Sequence, residues 1–299
     1  MNNGWIQADR GRGVMLQLKV FPRRTRATPN DPGVYIGEPD LFTPEAAEIH
    51  ISVTFSWDVP RAEQLAEIWR ERGNVSMGGP AMGTQGGDFE PGKYLKRGYV
   101  ITSRGCPNKC WFCEVWRRDG DIRELPITGG WNVLDDNLLA CSEGHIRAVF
   151  AMLKRQPQRA EFTGGLEAAR LEDWHIDLLL DLRPKQMFFA YDTDDDYEPL
   201  LSAGQRLIEA GFTRASHKLR CYVLIGYPGD TRGAAERRLM QTIEAGFMPM
   251  AMLWRGKNNK PQLEWRRFQR TWARPTIVAA SDRQIAETGQ DNRAGLFNV

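Results

Sequence analysis

The chain has 299 residues, is 41% apolar and 26% charged, and carries a formal net charge of +2. This is ordinary globular usage, long enough to bury a core without staples, and the near-neutral charge argues neither for nor against a polyanionic partner. No apolar run reaches the length of about 20 residues that a membrane-spanning helix needs. The opening MNNGWIQADRGRG lacks the apolar stretch of a secretory signal, so the expectation is a cytoplasmic protein with no membrane partner.

Residues 1–40 are rich in Pro, Gly and Arg and read as an irregular arm, with a basic, solvated stretch at 19–26 (KVFPRRTR). Residues 48–56 (EIHISVTFS) predict a buried strand. Residues 59–72 predict a helix, with Ala62, Leu65, Ala66 and Ile68 at helical spacing, Pro60 at its start and Gly73 past its end. A short strand at 75–77 then runs into Gly78-Gly79-Pro80. Together these make a small, degenerate Rossmann-like βαβ segment, and 1–95 is assigned to the arm plus this segment.

From residue 96 a βα alternation sets in. Strands are expected at 98–103, 131–135, 159–163, 186–191, 219–226 and 248–254. Helices are expected at 142–155, 172–182, 197–210 and 232–245. The fold class is therefore α/β with a parallel sheet. Right-handed crossovers would curl that sheet into a partial (β/α)6 barrel over 96–280, including a closing segment, and 281–299 is a polar tail.

The chemistry concentrates at 103–114. Cys106, Cys110 and Cys113 follow an apolar strand with the spacing C-x3-C-x2-C. Three thiolates on one short loop can hold three irons of a [4Fe–4S] cubane. The fourth iron is then free to chelate an amine and a carboxylate, as reductive cleavage of S-adenosylmethionine requires. The rival reading is zinc or a purely structural cluster. A zinc site wants a fourth ligand, usually in a second pair, whereas His50, His145, His175 and His217 are scattered. Cys141 and Cys221 read as inert thiols.

The stretch TSRGCPNKCWFC resembles the cluster loop of the radical S-adenosylmethionine superfamily, including the aromatic Phe112 before the last cysteine. Its Arg-Gly-Cys-Pro resembles the cobalamin-binding and methylthiotransferase branches, with a degenerate N-terminal domain. The resemblance covers about residues 75–255. It implies a single [4Fe–4S] cluster, S-adenosylmethionine as cofactor and an external one-electron reductant such as flavodoxin or ferredoxin.

The resemblance also implies cofactor contacts. The second strand ends Leu134-Asp135-Asp136-Asn137, where an acid, Asp136 above all, would accept from the methionine ammonium. Thr163-Gly164-Gly165-Leu166-Glu167 is closer in letters to the family's Gly-Gly-Glu. By strand count it follows the third strand and lines the site, and the two roles exchange if the strands are counted differently. Asp192, after the fourth strand, suits the ribose hydroxyls. Leu224 and Gly226, on the glycine-ended fifth strand, suit the adenine.

Two departures matter. No Asp-x-His-x-x-Gly pattern is present for a lower cobalamin ligand, and no cysteine precedes Cys106 to hold a second cluster. A cobalamin-dependent methyl transfer remains an alternative. The segment 254–275 interleaves Trp254, Trp265 and Trp272 with seven Lys or Arg. It reads either as a surface for nucleic acid or as an amphipathic closing helix packed through Trp265, Phe268 and Trp272. It is the reason to expect a nucleotide or nucleic-acid base as substrate.

Overall fold

The computed structural model describes residues 16–255 and 262–273. The tail at 281–299, the stretch before residue 16, and residues 256–261 and 274–280 of the closing segment lie outside the described residues. The chain divides into two compact units, Met1–Thr84 and Gln85–Val299. No helix of the described residues is long and apolar enough to cross a membrane.

The first unit is a four-stranded parallel sheet with one helix. Its elements are β1 (Gln17–Phe21), β2 (Val34–Ile36), β3 (Ala46–Ser52), α1 (Val59–Trp69) and β4 (Gly73–Gly78), and the strand order is β2-β1-β3-β4. Leu18, Val20, Ile49 and Ile51 project from β1 and β3 into one small core with Ala62, Leu65, Ala66 and Trp69 of α1. Burying such a side chain contributes about 1.5–3 kcal/mol. Trp69 is fully buried, and its Nε1 donates to the carbonyl of Gly37 at 3.0 Å.

Two strands therefore lie where an irregular arm was expected. In β1 the apolar Leu18 and Val20 alternate with Gln17 and Lys19, the period of a strand buried on one face. The alternation is short and runs into Arg23, Arg24 and Arg26, so the charge masks it in the sequence.

The second unit carries a six-stranded parallel sheet, β12-β11-β10-β9-β8-β5. In chain order its elements are β5 (Tyr99–Val100), β6 (Ser103–Arg104), α2 (Val115–Arg118), β7 (Arg123–Glu124), β8 (Asn132–Val133), α3 (Glu143–Lys154), β9 (Glu161–Phe162), α4 (Asp173–Leu182), β10 (Gln186–Tyr191), α5 (Tyr197–Glu209), β11 (Leu219–Ile225), α6 (Arg232–Glu244), β12 (Met248–Leu253) and α7 (Leu263–Trp272). The six strands of the sheet stand side by side in sequence order. Each helix from α3 to α6 carries the chain between neighbours, as βαβ crossovers do.

The two faces of this sheet differ. Met187, Phe189 and Tyr191 of β10, with Cys221, Val223 and Ile225 of β11, enter one core with apolar residues of α3, α4, α5 and α6. On the opposite face Ala190 and Met252 are exposed, and Tyr222 and Leu224 are half-buried. A parallel sheet ordinarily buries both faces. Here all four crossover helices feed one core, and the other face is only partly covered, with Phe188 buried against the ring of Tyr222.

Candidate functional site

The cysteine loop is an excursion from the sheet, closed at its base by the antiparallel pair β6 and β7, with Ser103 opposite Glu124 and Arg104 opposite Arg123. Within the loop the backbone folds on itself. Cys106 N–H donates to Gly120 O at 3.1 Å, and Cys113 N–H to Cys110 O at 3.2 Å. Trp116 Nε1 also donates to Cys110 O, at 3.0 Å.

The thiols feel one another. Burial, then Cys113 and Cys106, push the Cys110 thiol up to about 11. Burial also pushes Cys113 up, with the Val115 N–H opposing. Asp196 and Asp192, beyond β10, add smaller repulsions on Cys110. Among the described residues, no group of three His, Cys, Asp or Glu side chains forms a cage that could hold a metal ion.

Asn137 and Glu167 stand beside this loop. Asn137 Nδ2 lies 3.4 Å from Cys106 Sγ and donates to Glu167 Oε2 at 2.6 Å. Arg170 Nε donates to the same carboxylate oxygen at 2.6 Å. Asn137 Oδ1 is buried and has no partner among the described residues. A buried acceptor in that state loses its hydration without replacement, at about 1–3 kcal/mol. It is therefore primed for a donor. No sequence spacing brings Cys106, Asn137 and Glu167 together; the adjacency of β8 and β9 does.

The two aspartates before Asn137 serve the chain itself. Asp135 is buried. Its Oδ1 accepts from Thr102 N at 2.6 Å, and its Oδ2 from Thr102 Oγ1 at 2.5 Å and Ser103 Oγ at 2.8 Å. Both oxygens thus brace the root of the cysteine loop. Asp136 Oδ2 accepts from Gly105 N at 3.0 Å, and its Oδ1 lies 3.8 Å from Arg118 Nη2. Burial raises the pKa of both carboxyls. Asp136 anchors the loop one residue before Cys106, a different task from the ammonium contact expected of it.

Sequence reasoning missed Thr102, Ser103 and His145. His145, buried at the start of α3, brings Nε2 to 3.3 Å from Thr102 Oγ1 and Nδ1 to 3.7 Å from Glu124 Oε2. The only signal was Ser142 as the cap of that helix, which accepts from His145 N at 3.3 Å.

The glycines also differ from expectation. A side chain on Gly164 would collide with the backbone of Leu134 and Asp135, so its close approach is to β8 and not to a ligand. Gly165 has φ +107, and nothing lies within 4 Å of where its Cβ would be. Gly226 has φ +72, and its missing Cβ would sit 2.8 Å from Leu253 Cδ1 and 3.0 Å from Trp265 Cδ2. Its N–H goes to Asp230 Oδ2 at 2.7 Å. Trp265 and Leu253 thus pack against Gly226.

Leu224 is likewise engaged through its backbone. Its N–H donates to Asp192 Oδ1 at 3.1 Å, and its carbonyl accepts from Arg238 Nη2 at 3.0 Å. Among the described residues, Asp192 Oδ2 has no hydrogen-bond partner. Burial, reinforced by Asp196, pushes its carboxyl up to about 7. Burial pushes the Cys141 thiol up to about 12, and Cys221, fully buried, rises well above the ordinary range.

In α7, Trp272 is 4% exposed, and Trp265 and Phe268 pack beside it on the same core. Arg266, Arg267 and Arg270 are exposed. The tryptophans of this helix thus pack on the core, while its arginines face outward. The chain matches no family model and no curated protein.

Proposed function

We propose that the chain is a radical S-adenosylmethionine enzyme built on a partial (β/α)6 barrel. The observation that carries this reading is the loop of Cys106, Cys110 and Cys113, held beside Asn137 and Glu167 at the ends of adjacent parallel strands. Functional groups of parallel α/β folds gather on loops that leave the C-terminal ends of strands. The sequential strand order and the helix-free face are what a partial barrel requires.

The donor set suits a cubane better than a single ion. A structural zinc site usually takes two ligand pairs, and the sequence offers three cysteines on one loop with no second Cys or His pair. In a [4Fe–4S] cluster each thiolate takes a different iron, so the sulfurs surround a volume. When bound, the cluster would pass one electron, drawn from an external one-electron donor such as flavodoxin or ferredoxin, to the sulfonium of S-adenosylmethionine, releasing methionine and a 5'-deoxyadenosyl radical.

The chain's own residues do the rest. The Asn137 amide donates toward Cys106 Sγ. Asn137 Oδ1 and the Glu167 carboxylate offer acceptors to the methionine ammonium. The spare oxygen of Asp192 accepts from a ribose hydroxyl. The partly covered sheet face supplies an apolar wall through Leu224 and Ala190. The substrate we favour is a nucleotide or nucleic-acid base.

The test is anaerobic reconstitution followed by iron, sulfide, zinc and cobalt analysis, with reductive cleavage of S-adenosylmethionine as the activity. About four irons and four sulfides per chain with 5'-deoxyadenosine formation support the reading. A colourless protein holding zinc and no sulfide overturns it. Stoichiometric cobalt would move it to cobalamin-dependent methyl transfer.

A further inference from the structure

The cysteine loop carries an aromatic surface that the reaction proposed above does not use. Trp111 lies between Cys110 and Cys113 and is 50% exposed, unusual for a tryptophan in a folded loop. Its ring is fixed from two sides. Phe112 meets it edge-on at 5.4 Å and 89°, and Tyr227, beyond β11, at 5.5 Å and 69°. Tyr227 is itself backed by the guanidinium of Arg238, 5.2 Å from its ring centre. A large indole is thus held in one orientation while half of it faces solvent. The exposed half of that ring is a flat apolar surface available to a planar partner.

Within the loop itself basic side chains outnumber acidic ones, while Asp192 and Asp196 act on Cys110 and Asp194 on Tyr227 from outside it. Residues 104–118 contain Arg104, Lys109, Arg117 and Arg118 against the single carboxylate Glu114. Arg118 is bound inward to Asp119, and Arg117 pairs with Glu114 while lying over the Trp116 ring. Lys109, two residues from Trp111, is exposed and has no carboxylate partner among the described residues. A rigid exposed indole beside a free ammonium matches a planar ring that carries an anion. A nucleobase on a phosphate has that chemistry, since every base presents a π-face and every phosphate a charge.

We propose that Trp111 is the stacking platform for the substrate's nucleobase, with Lys109 taking its phosphate, so that the base enters at the edge of the cysteine loop. This rests on the radical reading only for what happens to the base afterwards; the binding itself is independent of it. Free nucleotide and single-stranded nucleic acid share this chemistry, and the experiment separates them.

The full chain, as purified and after anaerobic iron–sulfide loading, is titrated against a labelled oligo(U) strand of about 16 nucleotides, with unlabelled uridine monophosphate as competitor. Uridine avoids confusion with any adenine pocket. Trp111→Ala is expected to weaken strand binding at least about five-fold, with Trp111→Phe retaining most of it. Lys109→Gln is expected to reduce the salt slope by about one ion. Competition by the monophosphate at comparable concentration assigns the site to free nucleotides, and binding of the strand alone assigns it to nucleic acid. Equal affinity of Trp111→Ala and wild type, or no wild-type binding of either probe at low salt, overturns the proposal. If no variant loads iron and sulfide, the radical reading fails, while the strand titration still decides for or against Trp111.

Discussion

Trp265 lies against the face of Gly226 from which a side chain would project. A Cβ there would stand 3.0 Å from the indole Cδ2, and Gly226 already has φ +72. The glycine at the end of β11 thus admits the last helix. Gly226→Ala should therefore cost stability twice, through a left-handed backbone at about 1–2 kcal/mol and overpacking at about 1–3 kcal/mol. Urea melts would check this. A variant as stable as wild type would mean that Trp265 swings away without cost.

The same packing predicts an asymmetry within α7. Trp272→Ala truncates a buried side chain and should cost about 3–5 kcal/mol. Neutralising Arg266, Arg267 and Arg270 together should change stability by less than about 1 kcal/mol, because exposed charges contribute little. The reverse pattern in denaturant melts would place the tryptophan outside the core.

How far the sequence could be read depended on the length of each signal. Gln186–Tyr191 is an apolar run of strand length bounded by polar residues, and its limits emerge unchanged. The helices α3 to α6 were legible because their apolar residues repeat over three turns or more. By contrast, β8 and β9 are two-residue ladders within longer extended stretches, and the sequence over-extends both. β1 was hidden by the arginines that follow it. The β6–β7 hairpin was invisible because its two-residue strands pair some twenty positions apart, too short for a periodic signal. At the site, the cysteine spacing announced itself, since three thiols within one loop are local information. The Asn137–Glu167 contact was not, because it depends on which strands become neighbours. Asp135 shows the same limit: an acid at a strand end reads as a ligand, and only the partners Thr102 and Ser103 reveal it as a brace.

Removal of the loop thiols should be decisive for cofactor content. Cys106→Ala, Cys110→Ala and Cys113→Ala should each lose the iron, sulfide and visible absorption of a reconstituted protein. Cys141→Ala and Cys221→Ala should retain them, Cys221 at some cost in packing. Iron and sulfide assays read this directly. Full loading of Cys110→Ala would remove the basis for the cluster.

Asp135 should behave as a structural residue. Asp135→Ala leaves Thr102 N, Thr102 Oγ1 and Ser103 Oγ without acceptors, at about 1–3 kcal/mol for each group left dry. Melting temperature should fall sharply, and the affinity of whatever folded protein remains for S-adenosylmethionine should be unaltered. Glu167→Gln should do the opposite, keeping stability close to wild type and weakening S-adenosylmethionine binding by tenfold or so, as expected for one charge-assisted hydrogen bond. Calorimetry on both variants would separate them. Tighter dependence of binding on Asp135 than on Glu167 would reverse their roles.

Asp192 should make stability depend on pH in a defined window. Burial and Asp196 raise its carboxyl from 3.8 to about 7 in the folded chain. Between those values the folded state holds a proton that the unfolded state has released. Stability therefore falls as pH rises through the window and levels off above about 7. At about 1.4 kcal/mol per unit, the loss between about pH 5 and pH 8 is on the order of 2–3 kcal/mol. Asp192→Asn removes the titration, and its amide oxygen can still accept from Leu224 N–H, so the backbone contact survives. Urea midpoints of the two proteins should therefore differ little at about pH 5 and diverge toward pH 8, with the asparagine variant the more stable there. Parallel curves across the range would show that Asp192 is ionised in the folded protein throughout, and would return its spare oxygen to solvent.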